Sequence, residues 1–146
     1  MVPYPETLQQ GGLWMWTVPK INWKETDYFN IQDYNRIKNN LNHIRSMALQ
    51  LYNDFPFADM GNDKSYTDYY YADEINLFES NLERINMNTF PRPIGDTVTF
   101  YDNQPFIDYH ELNRLELGML TIYKGLYGQA AGRRKLQFKL GRRRAV

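Results

Sequence analysis

Cysteine is absent from the 146 residues. Its absence excludes disulfide frameworks, thiolate metal sites and cysteine nucleophiles, and fits a reducing compartment or a particle assembled in one. Long apolar runs are missing as well, and mean hydropathy is −0.67. The sequence thus offers neither a secretory signal core nor a membrane span, and the expectation is a protein in solution or held by other proteins. Histidine is scarce: neither His43 nor His110 has a second ligand at a metal-binding spacing. No phosphate-cradling glycine loop, nucleophile elbow or zinc-protease motif occurs. Carboxylate pairs such as Asp73-Glu74 and Glu79 with Glu83 read as exposed helix faces rather than as an acid and base in opposed environments. We therefore expect no enzyme, no cofactor and no metal.

Net charge is also absent, but only in sum. Residues 1–132 hold ten basic and all seventeen acidic side chains, a balance of −7. The other seven basic residues lie in Arg133-Arg134-Lys135, Lys139 and Arg142-Arg143-Arg144, a tail of +7. Such asymmetry speaks to partners rather than to fold. Nucleic acid is one candidate for the tail. A body of opposite sign would repel a duplex, so an acidic protein surface is favoured.

What is present is a repeat. The stretch Asp33-Tyr34-Asn35-Arg36-Ile37-Lys38-Asn39-Asn40-Leu41 returns in degraded form as Asn76-Leu77-Phe78-Glu79-Ser80-Asn81-Leu82 and as Asn113-Arg114-Leu115-Glu116-Leu117-Gly118-Met119. Each copy keeps an Asn, apolar residues two and six places on, and an acid two places before: Asp33, Glu74 and Glu111. Around them, apolar side chains alternate at three and four residues: Tyr34, Ile37, Leu41, Ile44, Ala48 and Leu51 in the first, with matching stripes in the others. Asn30 with Asp33, and Asp108 with Glu111, have the spacing of helix caps. The second helix starts either early, capped at Thr67 or Asp68, or late, near Ala72.

The fold class expected is mainly α, one domain over 1–146: a three-helix up-and-down bundle with a short β-hairpin or edge strands. Residues 1–26, rich in proline and tryptophan, form an N-terminal arm; 27–128 form the bundle; 129–146 form a basic C-terminal strand and tail. Trp14, Trp16 and Trp23 either cover the end of the bundle or dock on a neighbouring subunit. Thr97 to Tyr101 reads as a short strand, with a turn at Asp102 to Pro105. Gly125, Gly128 and Gly132 are expected to end helix three near Tyr127. Beyond them Leu136, Phe138 and Leu140 alternate with polar residues, as in a strand that pairs with 97–101 or with another subunit's sheet edge.

The segment Trp23 to Asn40 resembles a W-x-x-x-D-x-F-N-x-x-D-Y-N-R-I pattern of short structural proteins of phages and prophages of Gram-positive bacteria. There, related N-R-I-E helices and a final basic G-R-R segment follow, similar to Asn113-Arg114-Leu115-Glu116 and Gly141-Arg142-Arg143-Arg144 here. The middle copy departs, with Leu77 where Arg is expected. The resemblance implies a virion component of tail or baseplate, assembled in the bacterial cytoplasm, multi-copy or homo-oligomeric, its partners other virion proteins and no membrane. Attachment then falls to Trp14, Trp16 and Trp23 at one end and to Leu136, Phe138, Arg142, Arg143 and Arg144 at the other. Two alternatives remain. An adhesion module would bind carbohydrate on Tyr66 to Tyr71 and the tryptophans. A capsid or connector part would touch nucleic acid through the tail, with affinity falling steeply as salt rises.

Overall fold

The computed structural model describes residues 7–8, 16–102 and 108–144, with side chains described for 16–102 and 108–133. A two-residue antiparallel ladder joins β1 (Thr7–Leu8) to β2 (Trp16–Thr17). Three helices follow: α1 (Ile31–Leu51), α2 (Ala72–Asn88) and α3 (Tyr109–Arg144). The three-four stripes form the core as expected: Ile37, Phe78 and Leu115 are fully buried, as are Ile44, Ile85 and Ile122.

The helix starts follow the local chemistry. Asn30 accepts the Asp33 backbone N–H at 3.0 Å, and the Asp33 carboxylate accepts the Asn30 N–H at 3.0 Å, a complete capping box. Glu74 reaches back to the Tyr71 N–H at 3.0 Å, so the second helix takes the late start. Asp108 accepts the His110 N–H at 3.0 Å, while Glu111 turns to Arg114 instead.

The bundle is not up-and-down. Along α1 and α3, Arg36 pairs with Glu116, His43 lies near Tyr123, and Tyr52 bonds Gln129, so the two helices run in one direction. Along α2 and α3, Glu79 pairs with Arg114 and Leu82 lies beside Gly118. Tyr34 of α1 meets Glu74 and Phe78 of α2, again start against start. All three helices are parallel. Up-and-down order presumes short loops. The connectors here, 52–71 and 89–108, are some twenty residues each. Extended chain of that length spans about 65 Å, ample to return along a helix of about 31 Å.

The return segments lie in the seams between helices. The arm crosses the α1–α3 seam, residues 58–64 the α1–α2 seam and residues 94–100 the α2–α3 seam. Thr97 to Tyr101 is therefore not a strand: Phe100 gives its N–H to, and takes a bond from, the Asn76 side chain, which replaces a strand partner. Of the expected turn, Asn103 to Pro105 lie outside the described residues.

The C-terminal strand is also corrected, because α3 continues as helix through Leu136, Phe138 and Leu140 to Arg144. Extending an existing helix adds one hydrogen bond per residue without a nucleation cost, whereas a short strand needs a partner. The glycines do not stop it: Gly118 and Gly125 are packing positions, and the helix carries Gly128 and Gly132 at a cost of about 1 kcal/mol each. A side chain at Gly118 would come within 3.2 Å of Leu82 and 3.3 Å of Ile94, and one at Gly125 would overlap the Arg92 guanidinium. Gly128 and Gly132 meet nothing and are exposed. Gly128→Ala and Gly132→Ala should therefore each stabilise the helix by about 0.5–1 kcal/mol. For a chain of this size that raises the melting temperature by roughly 1–4 °C apiece, readable by circular dichroism; a fall would mean these positions are not plain helix.

Candidate functional site

Polar side chains in a helix bundle need partners, and their pattern here repeats three times. Asn35 gives its amide to the Lys64 carbonyl (2.9 Å) and accepts the Lys64 N–H (2.8 Å). Asn76 does the same to Phe100 (2.8 and 2.7 Å), and Asn113 to Trp23 (3.0 and 2.7 Å). Five residues further along, Asn40 clips Thr17 (2.8 and 2.9 Å) and Asn81 clips Ala58 (2.9 Å twice). At the third such position stands Gly118, against which Ile94 packs directly. Each seam segment is thus fixed at two points six residues apart: 17 and 23, 58 and 64, 94 and 100. The asparagines of the sequence repeat are backbone clips, and the chain closes as three like units.

Ion pairs repeat with the clips. Arg36 bonds Glu116 through Nε (3.0 Å) and Nη2 (2.9 Å), with Asp33 on Nη1 (2.7 Å). Arg114 bonds Glu79 and, at 2.8 Å, Glu111. Glu79, expected on an exposed face, is buried because it lies under Arg114. The third corner lacks this pair: Leu77 stands for Arg and Lys38 for Glu. There the polarity of the seam segment reverses to match. Lys20 N–H donates to Glu116 at 3.1 Å, whereas the corresponding Gly61 presents its carbonyl to Lys38 Nζ at 3.2 Å, with Asp63 at 2.6 Å. Gly61 has φ +76°, the left-handed conformation that glycine tolerates, and this turns its peptide around.

Burial shifts these groups as their surroundings require. Burial opposes charge on Arg36, but the bonds to Glu116 and Asp33 outweigh it and its pKa rises. Glu79 moves up from the ordinary carboxylate value because burial exceeds the pull of Arg114. The Tyr34 hydroxyl is raised by burial and by its bond to Glu74. Each perturbation is tied to a structural pair. His43 is buried near the rings of Trp16 and Tyr123. Among the described residues no group of His, Asp and Glu could hold a metal ion, and no helix is long and apolar enough to cross a membrane.

The residues expected to attach partners are divided. Trp16 stacks on Tyr123 with centroids 4.0 Å apart, and Trp23 gives its indole N–H to Glu116 at 2.5 Å. Both are buried along the α1–α3 seam, beside the bundle rather than over its end. Trp14 lies outside the described residues. Leu136, Phe138, Arg142, Arg143 and Arg144 are on the last turns of α3, their side chains outside the described set.

A surface that the partner-residue assignment missed lies at the helix-start end. Tyr28 is 90%, Tyr66 88% and Tyr69 75% exposed, with Tyr71 half-exposed beside them. The sequence signal was the doublet Thr26-Asp27-Tyr28-Phe29 and Thr67-Asp68-Tyr69-Tyr70. On the flanks, two open grooves occupy matching helix positions: one over Gln32, Asn35, Arg36 and Asn39, the other over His110, Asn113, Arg114 and Leu117. No protein-family model, curated protein or solved structure matches this chain.

Proposed function

We propose that the protein is a non-enzymatic structural subunit of a phage virion, of its tail or baseplate, working by subunit–subunit attachment. The observation that carries this reading is the length and charge of α3. It has 36 residues against 21 in α1, and α1 ends where Tyr52 meets Gln129. The remaining turns carry seven basic residues and no acid. A cationic helix that outruns its own bundle is suited to an acidic surface on another subunit. The buried ionisable side chains, meanwhile, are engaged in holding the fold. The aromatic arm contributes to the subunit's own seam through Trp16 and Trp23, so attachment rests on the tail.

Removing residues 133–146 tests this. The shortened protein should fold, since among the described residues the last core side chain is Leu126, and should fail to enter particles when the gene is replaced in a producing phage. Normal incorporation would overturn the reading.

A second reading has an observation of its own. The exposed tyrosines at the helix-start end could stack on sugar rings, as an adhesion module requires. A glycan array read at millimolar sensitivity separates the two, being blank for an assembly part and positive for an adhesin.

A further inference from the structure

The exposed tyrosines belong to a repeated device. In the first turn, Lys24 N–H donates to the Asp27 carboxylate at 2.9 Å, and Asp27 N–H to the Lys24 carbonyl at 3.0 Å. In the second, Ser65 N–H donates to Asp68 at 2.8 Å, and Asp68 N–H to the Ser65 carbonyl at 2.9 Å. Each Asp is followed by an exposed tyrosine, Tyr28 or Tyr69, and then by an aromatic residue that packs inward, Phe29 or Tyr70. Those inner residues join the turns: their rings meet edge to face at 5.3 Å, and the Tyr70 hydroxyl donates to the Phe29 carbonyl at 3.0 Å. Packing is therefore supplied by Phe29 and Tyr70. Tyr28 and Tyr69, 90% and 75% exposed, have no packing role among the described residues that requires a large aromatic ring.

What such a turn recognises follows from its chemistry. The backbone N–H bonds hold the Asp27 and Asp68 carboxyls below their ordinary value, so both stay ionised at neutral pH. An exposed ring one residue from a fixed carboxylate suits a guanidinium or ammonium, by cation–π attraction and charge-assisted hydrogen bonding. Lys20 already combines the two, bonding Asp27 at 3.1 Å while lying 4.1 Å from the centre of the Trp23 ring.

We infer that these paired Asp-Tyr turns dock the basic end of α3 from a second copy of the chain, so that copies join head to tail. The charge is complementary, −7 over residues 1–132 against +7 beyond. The tail cannot serve its own turns. The three helices are parallel, the turns lie at their starts, and α3 leaves from the other end. Its last eleven residues extend about 16 Å onward, away from a surface some 30 Å behind. The contact is thus between unlike surfaces, and copies set end on end would form chains or rings. This inference rests on the tail being a connector, and adds that one of its partners is the protein itself.

Sedimentation velocity on three proteins tests it: the full chain, a form lacking 133–146, and the full-length Tyr28→Ala/Tyr69→Ala variant, whose folding circular dichroism confirms. The full chain should associate with rising concentration at low salt and dissociate at about 0.5 M salt, where the screening length falls below roughly 5 Å. Each altered protein alone should stay monomeric. Their equimolar mixture should give a one-to-one dimer and nothing larger, because one contributes only turns and the other only a tail. A full chain that stays monomeric at low salt, a variant that associates like the parent, or a mixture without dimer would each overturn the inference. If the full chain is monomeric yet the truncated form is still lost from particles, the connector reading stands with a different partner. If self-association occurs but truncation leaves incorporation intact, self-docking stands and the connector reading fails.

Discussion

Glu116→Ala should lower the melting temperature by about 10 °C. Glu116 is fully buried and accepts from Arg36 twice, from the Trp23 indole and from the Lys20 backbone. Truncating it leaves a mostly buried guanidinium with Asp33 alone as its partner, and two N–H groups without acceptors. Removing one partner of a buried ion pair costs roughly 3–5 kcal/mol, and each kcal/mol shifts a chain of this size by roughly 2–4 °C. Lys64→Ala is the comparison, because Lys64 and its partner Glu74 remain partly in water, Glu74 keeps its bonds to Tyr71 and Tyr34, and the pair is worth about 1 kcal/mol or less. The Arg36→Met/Glu116→Leu double variant should recover part of the loss, since it deletes the stranded charge along with its partner. Thermal melts of these proteins decide the matter. If Glu116→Ala loses no more than Lys64→Ala, the buried pair does not organise the α1–α3 seam.

The sequence carried the repeat and its apolar stripe in plain form, and Ile37, Phe78 and Leu115 are where that stripe puts them. It also carried the arm's aromatic surplus, although whether Trp16 and Trp23 served their own chain or a neighbour could not be read from spacing. Helix direction was not legible from the stripes, because periodicity says which face is buried and nothing of polarity. The signal lay between them, in connectors far longer than an up-and-down bundle needs. Asn40 and Asn81 were equally open to view, five residues after Asn35 and Asn76. A fully buried asparagine on an apolar face must find two partners, and extended connectors are the nearest supply of backbone. The tail misled for a different reason. Five alternating residues fit a strand and also fit the end of a helix, and only the cost of an unpaired strand distinguishes them.

The same logic makes the three first clips unequal. Asn35 and Asn76 hold segments that are tied to helices at both ends, whereas Asn113 holds the arm, which runs into α1 on one side and is held on the other by the Asn40–Thr17 clip rather than by a helix. Replacing any of them by alanine removes two hydrogen bonds and leaves a backbone N–H and carbonyl to find water, at about 2–4 kcal/mol. For Asn35 or Asn76 the local opening that supplies water is limited by the closed loop. For Asn113 the freed stretch can swing out from Trp23 onward, and the joint between the third and first units has no covalent link to hold it. Asn113→Ala should therefore speed amide hydrogen exchange across residues 20–27 by about 30- to 1000-fold, the factor that 2–4 kcal/mol corresponds to, and shift Trp23 emission to longer wavelength. Asn76→Ala should raise exchange near Phe100 while leaving the arm protected. Equal exchange in the arm of both variants would mean that the α1–α3 seam is held by Trp16 and Trp23 burial alone, and that the clip at this joint only sets register.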